Sequence, residues 1–275
     1  MYFAIIIKKE RCMGRVIVVA SGKGGVGKTT ITASLGIALA KIGASVVVID
    51  ADVGLNNLDM VLGVENRVVY DLVDCINGKC RIVQALVDVS GVDNLFLLPS
   101  SRSEEKQKLT GEILSKIITK LRSNFDYVLV DSSAGIGNLF NLATKCADEA
   151  LVVVTPHISS VRDADKVISL LKLQGKRSIN IVINRIRGDL VLRKEMLSHE
   201  MVESLLKTKI IGIIPESDEL SIKNNILELE EDEQVDRAIN ILARNIYNEK
   251  YSIFDYKSKY KGLIGFLRRN IKRNA

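Results

Sequence analysis

The stretch that decides the fold is Gly22-Lys23-Gly24-Gly25-Val26-Gly27-Lys28-Thr29-Thr30. It follows the apolar run Val16-Ile17-Val18-Val19-Ala20 and opens a helical pattern over residues 31–41. Positions 22, 27, 28 and 29 fit the phosphate-loop template G-x-x-x-x-G-K-[ST]. Glycines let backbone N–H groups surround a polyphosphate, and the helix N-terminus adds unpaired donors. We therefore predict that residues 22–30 bind a nucleotide, with Lys28 on its β- and γ-phosphates and the Thr29 hydroxyl on Mg²⁺.

Composition indicates a folded globular chain. Of its 275 residues, 47% are hydrophobic and 26% charged, and no apolar run approaches the ~20 residues that a membrane-spanning helix needs. The four cysteines and two histidines have no metal-ligand spacing, so we expect reduced thiols and no zinc site. The net charge of +6 is concentrated in seven basic residues after position 256. The near-neutral body argues against a general nucleic-acid-binding surface.

Apolar, β-branched runs alternate with helical patterns along the whole chain. Strands are predicted at 15–20, 45–49, 95–98, 127–130, 150–155, 180–183 and 210–214, and helices at about 28–42, 104–122, 137–146, 160–174, 193–207 and 231–249. This alternation predicts an α/β fold, a doubly wound, mostly parallel sheet with helices on both faces. We divide the chain into a short N-terminal extension (1–14), a P-loop ATPase domain (15–250), and a polar hinge with an amphipathic helix (251–275).

Two acids follow the second predicted strand. The segment Asp50-Ala51-Asp52-Val53-Gly54-Leu55-Asn56-Asn57-Leu58-Asp59 places them at the carboxyl end of a strand, where ligands bind in open α/β sheets. One of them is suited to a second-sphere role on Mg²⁺ or to orientation of the attacking water. A polar turn that caps the next segment is the alternative.

A third acid ends the apolar run Asp126-Tyr127-Val128-Leu129-Val130-Asp131, a Walker B pattern. We predict that Asp131 holds Mg²⁺ through water molecules. The loop Ser132-Ser133-Ala134-Gly135-Ile136 follows, and its Gly135 can offer a backbone N–H to a γ-phosphate.

The end of the chain has the pattern of a basic amphipathic helix, which can lie in a membrane interface. The side chains predicted to contact a membrane are Leu263, Ile264, Phe266, Leu267, Ile271, Arg268 and Arg269. One such helix is marginal, although anionic lipid adds about 1 kcal/mol per basic residue. Two helices in one dimer raise the avidity about 10²-fold. The pattern also fits a disordered basic segment, a helix packed on the domain, or calmodulin-type and nucleic-acid contacts.

These motifs together resemble the MinD/ParA group of deviant Walker A ATPases. The loop matches K-G-G-V-G-K-T, residues 50–59 are similar to switch I (D-x-D-x-G-x-x-N-L-D), residues 131–136 to switch II (D-S-P-A-G-I), and residues 159–165 to S-S-V-R-D-x-D. The tail favours the MinD family within the group. Three positions depart from the pattern, namely Asn56 for an arginine, Ser133 for a proline and Gly137 for an acid. Because proline fixes φ, Ser133 suggests slower or less tightly coupled hydrolysis.

The resemblance implies roles for individual residues. Lys23 reaches across a dimer interface to the partner's nucleotide, and Asp52 positions the hydrolytic water with Asp50 beside it. Asn184 hydrogen-bonds the adenine edge and Pro215 packs on the base. The implied catalytic side chains are thus Lys23, Lys28 and Asp52, and the implied cofactors are ATP and Mg²⁺.

The resemblance also implies a cycle and partners. ATP closes a homodimer, paired tails bind an anionic membrane, a MinC-like division-ring inhibitor is recruited, and a MinE-like partner stimulates hydrolysis. The abundance of Ile, Lys and Asn favours an AT-rich genome such as a plastid's, and residues 1–12 look like neither a secretory signal nor a transit peptide. We therefore expect a plastid-division protein of the stroma and inner envelope, with a bacterial cytoplasm and inner membrane as the alternative.

Two rival functions share the loop. A ParA-like DNA-partitioning ATPase needs a basic surface on its folded body, and salt-dependent DNA binding that survives deletion of 257–275 is its signature. An iron–sulfur reductase of the nitrogenase type needs bridging cysteines near switch II, where this chain has Ser132 and Ser133.

Overall fold

The computed structural model describes residues 13–52, 57–100, 110–217, 225–228, 233–249 and 251–260. These residues form an eight-stranded sheet in the order β3-β4-β2-β5-β1-β6-β7-β8. All its strand pairs are parallel except β3 with β4. The strands are β1 Arg15–Ala20, β2 Val46–Asp50, β3 Val87–Asp88, β4 Leu95–Leu98, β5 Tyr127–Asp131, β6 Glu149–Val154, β7 Ser178–Ile186 and β8 Ile210–Pro215.

Helices cover both faces of the sheet. The α-helices are α1 Lys28–Lys41, α2 Leu58–Val61, α3 Leu72–Ile76, α4 Ile82–Ala85, α5 Gly111–Arg122, α6 Asn138–Cys146, α7 Ile158–Leu173, α8 Gly188–Leu192, α9 His199–Leu206 and α10 Glu233–Asn248. Helices α1 and α10 pack together on one face, against β2, β5 and β8, while α5, α6, α7 and α9 pack on the other. The predicted doubly wound, mostly parallel α/β fold is therefore confirmed.

The central strands are buried on both faces, which explains their near-continuous apolar runs. In β1 and β5, every residue from Val16 to Ala20 and from Tyr127 to Asp131 is buried. Parallel strands bring their carboxyl ends to the same edge. The glycine-rich loop after β1, the acid that ends β2 and the acid that ends β5 therefore meet there.

Differences from the predicted elements have local causes. All seven predicted strands are present, but β3 was missed because two residues show no periodicity. The helix predicted at 193–207 is wrong at its start. Lys194 adopts φ 63° after α8, and α9 begins only after Ser198, whose hydroxyl accepts the N–H of Met201. Of the helix predicted at 104–122, residues 104–109 lie outside the described residues, and α5 begins after Thr110, whose hydroxyl accepts the N–H of Ile113.

The expected hinge packs on the folded body, which corrects the prediction for residues 251–259. Phe254, Tyr256 and Tyr260 are buried, and the Tyr256 hydroxyl lies 3.0 Å from Nδ1 of His199. Apolar rings buried against α8 and α9 outweigh the polar composition of the segment. The predicted amphipathic helix, with its membrane-contacting residues 263–271, lies outside the described residues. Within the described parts of the chain, no helix is both long and apolar enough to cross a bilayer.

Candidate nucleotide-binding site

The glycine-rich loop joins β1 to α1 with the geometry of a phosphate-binding loop. Gly27 adopts φ 85°, which favours glycine, and its carbonyl accepts the N–H of Ile31 at 2.9 Å in the first turn of α1. Gly22 lies so close to α7 that an added Cβ would overlap the backbone of Asp163. The loop thus presents backbone N–H groups together with a helix N-terminus, an arrangement that suits a polyphosphate.

Lys28 is paired with the acid that ends β5. Its ammonium lies 2.7 Å from Oδ1 of Asp131, and the two residues are only 7% and 1% exposed. The other carboxylate oxygen accepts the Thr29 hydroxyl at 2.7 Å, and the Thr32 hydroxyl donates to Oδ1 at 3.0 Å. The structure therefore brings Lys28, Thr29 and Asp131 together as predicted. It adds Thr32, which lies one helical turn after Lys28 and which the sequence motif does not mark.

A second carboxylate lies beside Asp131. Asp50 ends β2 in register with Asp131, is 2% exposed, and accepts the backbone N–H of Asp52 at 3.0 Å. Burial, and next the charge of Asp131, raise the pKa of Asp50 to about 8, while Lys28 opposes the shift. Two adjacent acids of which one is protonated at neutral pH form a site that a divalent cation can occupy by displacing that proton.

The residues of this site suit Mg²⁺ bound partly by water and phosphate better than they suit a metal bound only by protein side chains. In the chain as described, no three His, Cys, Asp or Glu side chains cluster as a metal cage. Mg²⁺ usually keeps several waters and takes one or two carboxylates plus substrate phosphates. The Thr29 hydroxyl and the carboxylates of Asp50 and Asp131 could supply such a set, next to the loop that could hold the phosphates.

Lys23 lies at the exposed rim of the loop. Its ammonium is 3.4 Å from the hydroxyl of Ser159 in the first turn of α7. Apart from this contact, the described residues show no hydrogen bond or ion pair of its side chain. The predicted switch I is described only in part, because residues 53–56 lie outside the described residues. Asp52 itself is described, two residues after Asp50.

The predicted switch II runs alongside the loop. Gly135 adopts φ 82° and its N–H donates to the Ser21 carbonyl at 2.9 Å, while the Ser132 hydroxyl donates to the Val19 carbonyl at 2.9 Å. In this arrangement the Gly135 N–H is bonded to the chain itself. Its predicted contact with a γ-phosphate would require that bond to open.

The predicted adenine residues line a cleft behind the loop. Asn184, two residues before the end of β7, and Pro215, the last residue of β8, line this cleft together with Gly27 and Thr30. The Asn184 amide donates to the Val26 carbonyl at 2.8 Å, so this side chain also holds the loop in place. Sequence reasoning missed the opposite wall, formed by Val235 and Ile239 of α10. No local motif links them to a loop 200 residues earlier.

Sheet order, glycine loop and buried lysine–aspartate pair together define a phosphate-loop nucleotide-binding domain. The family model described as "CobQ/CobB/MinD/ParA nucleotide binding domain" matches residues 17–227. The chain belongs to this family and, within it, to the MinD septum site-determining ATPases, as its relatives show. It is therefore an ATP hydrolase of the division-site type.

Three comparisons carry this conclusion. The septum site-determining protein MinD of Thermotoga maritima is 43% identical over 262 residues, 93% of this chain and 97% of the relative. A MinD relative from Emiliania huxleyi is 44% identical over 250 residues, 90% of this chain and 92% of the relative. The solved MinC:MinD cell division protein complex of Aquifex aeolicus superposes with a TM-score of 0.80 at 43% identity, covering 87% of this chain and 98% of that one.

Proposed function

We propose that this ATPase is a membrane switch in which ATP closes a homodimer and the dimer binds an anionic membrane through its paired tails. The observation that carries the proposal is the position of Lys23. The Lys23 side chain belongs to the phosphate loop but is exposed, and among the described residues its ammonium has one hydrogen bond, to the hydroxyl of Ser159. Such a lysine is free to reach the phosphates of a nucleotide held by a second copy.

The same site supports specific roles toward ATP and Mg²⁺. The N–H groups of residues 22–30 would surround the phosphates, and Lys28 would exchange Asp131 for them. Thr29, Asp50 and Asp131 would hold Mg²⁺, which neutralises charge on the transferred phosphoryl group. Asp52 would orient the hydrolytic water.

The base would occupy the cleft of Asn184 and Pro215. The Asn184 amide already donates one N–H to the Val26 carbonyl. The rest of the amide, namely its oxygen and its second N–H, would therefore form the hydrogen bond to the base.

The tail is the proposed membrane contact, and we revise its beginning. Lys257 pairs with Glu200 at 3.1 Å, and Lys259 contacts Gln234 at 2.6 Å. These two of the seven terminal basic residues therefore bind the body. We propose 15–260 as the folded ATPase domain, 1–14 as an extension, and 261–275 as the membrane-binding segment with five basic residues.

The partners and location are proposals from the relatives. The Aquifex structure is a MinC:MinD complex, which supports a MinC-like division inhibitor as a partner of this chain. A MinE-like stimulator of hydrolysis completes the proposed cycle. The algal relative and the abundance of Ile, Lys and Asn, which suits an AT-rich genome, favour a plastid stroma and inner envelope over a bacterial cytoplasm and inner membrane.

Liposome co-sedimentation tests the switch. The full chain is mixed with anionic or neutral vesicles and ATP or ADP, and compared with a chain ending at Tyr260. Truncation there keeps the buried Tyr260 ring, so the body stays folded. We expect sedimentation only with ATP, anionic lipid and an intact tail. Lys23→Ala should abolish the sedimentation seen with ATP. Lys41→Ala, which changes an exposed lysine at the end of α1, should leave that sedimentation unchanged. Equal sedimentation with both nucleotides would refute the switch.

A further inference from the structure

Two of the cysteines approach each other away from the nucleotide site. Sγ of Cys75, in α3, lies 3.4 Å from Sγ of Cys80, which precedes α4. Both side chains are half-buried and pack against the hydrophobic core. Cys146, by contrast, contacts a backbone carbonyl of Gly111 in another part of the fold. Four residues separate Cys75 from Cys80, a spacing that matches no metal motif, and the sequence predicts only that both are reduced thiols.

Hydrogen bonds fix both the start of α3 and the turn that follows Cys75. Asp71 caps α3 by accepting the N–H of Asp74 at 2.9 Å, and Asp74 accepts the N–H of Asp71 in return. Gly78 adopts φ 73° and donates its N–H to the Cys75 carbonyl. The sulfur atoms are therefore brought together by a defined helix end, and a disulfide would require them to close from 3.4 Å to about 2.05 Å.

We propose that Cys75 and Cys80 form a redox-active dithiol site that reacts with a low-molecular-weight disulfide to give an intrachain disulfide. One thiolate attacks a sulfur of the reagent, the reagent's S–S bond breaks, and one reagent thiol leaves. The other cysteine loses its proton and attacks the mixed disulfide, which releases the second reagent thiol. The two cysteines lose two electrons in total, the reagent gains them, and both protons end on the released thiols.

The surroundings of the pair make this a slow and persistent modification. Burial, and next the hydrogen bond with Cys80, raise the pKa of the Cys75 thiol to about 12, and the carboxylates of Asp71 and Asp74 act in the same direction. A thiol that holds its proton is a poor nucleophile at neutral pH. It is also a poor leaving group, so the disulfide, once formed, resists reduction.

The site lies on a segment that begins next to the nucleotide edge. The first N–H of α3, that of Leu72, donates to the Pro99 carbonyl at 2.9 Å. Pro99 follows β4, whose Leu98 is in register with Ile49 of β2. A disulfide would therefore fix the far end of a helix whose first N–H is hydrogen-bonded to the residue that follows β4, the strand paired with β2.

The test is thiol trapping and peptide mapping of the full chain. The protein is equilibrated with reduced and oxidised glutathione at several ratios, quenched with an alkylating reagent and digested. Cys146→Ser and Cys12→Ser serve as matched controls, and Cys75→Ser and Cys80→Ser remove one partner each. We expect an intrachain 75–80 linkage in the wild type and both controls. In the Cys75 and Cys80 variants we expect no linkage and only single glutathione adducts.

Thermal unfolding provides the second readout, because a crosslink between two sulfur atoms that already lie close together should stabilise the fold without straining it. Oxidised wild type should melt a few degrees above the reduced protein, and Cys75→Ser should show no such shift. The proposal is overturned if stable glutathione adducts remain on both cysteines at the most oxidising ratio, or if Cys12 or Cys146 crosslinks as readily. It is also overturned if the linkage lowers the melting temperature, since the turn would then have to distort to form it.

Discussion

Replacing Asp131 with asparagine should destabilise the protein more than replacing its partner Lys28. The ammonium and carboxylate are 2.7 Å apart and both residues are almost completely buried. Asparagine keeps the shape of the side chain but removes the charge that contacts the buried ammonium. Breaking a buried pair in this way costs about 3–5 kcal/mol.

Lys28→Met should cost less, because Asp131 keeps two hydrogen-bond donors. The hydroxyls of Thr29 and Thr32 still bind its carboxylate, at 2.7 and 3.0 Å. We expect a loss of about 1–3 kcal/mol, the range for one charged hydrogen bond. The double variant Lys28→Met/Asp131→Asn should lose less than the two single losses combined, by about 2 kcal/mol, since neither buried charge remains.

Urea unfolding at pH 7 without nucleotide, in a chelator, measures these free energies. The chain has no tryptophan, so circular dichroism is the suitable signal. Lys41→Met, an exposed lysine on the same helix, is the matched control and should change the free energy of unfolding by no more than about 0.5 kcal/mol. Additive losses in the double variant, within about 0.5 kcal/mol, would show that the pair is not energetically coupled and would refute the reasoning.

Three further predictions concern other parts of the site and the body. The folded protein holds the Asp50 proton up to about pH 8 and the unfolded chain releases it near pH 4, so stability should fall as pH rises between these values. Urea unfolding across this range should show that Asp50→Asn removes this pH dependence, whose total over the range is bounded at roughly 5 kcal/mol. Gly22→Ala places a Cβ onto the Asp163 backbone and should weaken binding of a fluorescent ATP analogue at least about tenfold, whereas Gly24→Ala, with open space around it, should change binding less than about twofold. Tyr256→Phe loses the hydrogen bond to the histidine of α9 and should lower the free energy of unfolding by about 1 kcal/mol, against about 3 kcal/mol or more for Tyr256→Ala; equal losses in urea unfolding would mean that the hydroxyl dominates.

The sequence predicts those parts of the site that depend on local patterns. The run before Gly22 is apolar because β1 is buried on both faces, and the acids Asp50 and Asp131 end strands that are buried in the same way. Parallel pairing then places all three at one edge without any further information. Strand periodicity and motif spacing were therefore sufficient for the fold and for bringing the glycine-rich loop and the two acids to one edge of the sheet.

The base cleft and the C-terminal segment depend on contacts between distant residues. Ile239 lines the cleft with Gly27, yet nothing in either local sequence marks the pair. Likewise, Tyr256 and Tyr260 are four residues apart, as on one helix face, but the residues between them are polar and nothing local marks what the rings pack against, so the sequence predicts a hinge. Their burial depends on two residues more than 50 positions earlier. His199 lies within hydrogen-bond distance of the Tyr256 hydroxyl, and Gly188, which has no Cβ, leaves room for the Tyr256 backbone and the Tyr260 ring.

The arrangement around Asp131 bears on why such a site should respond to nucleotide and cation together. Lys28 and two hydroxyls already donate to the Asp131 carboxylate. The neighbouring Asp50 side chain is itself held in its protonated form, because its pKa is raised. A cation alone would meet the ammonium of Lys28, and a triphosphate alone would add negative charge beside two buried acids. When both arrive, Lys28 can pair with phosphate while the cation takes the carboxylates, so no buried charge is left without a partner. On the proposed roles, the buried acids would couple the two ligands, because each ligand would remove the electrostatic cost that the other incurs.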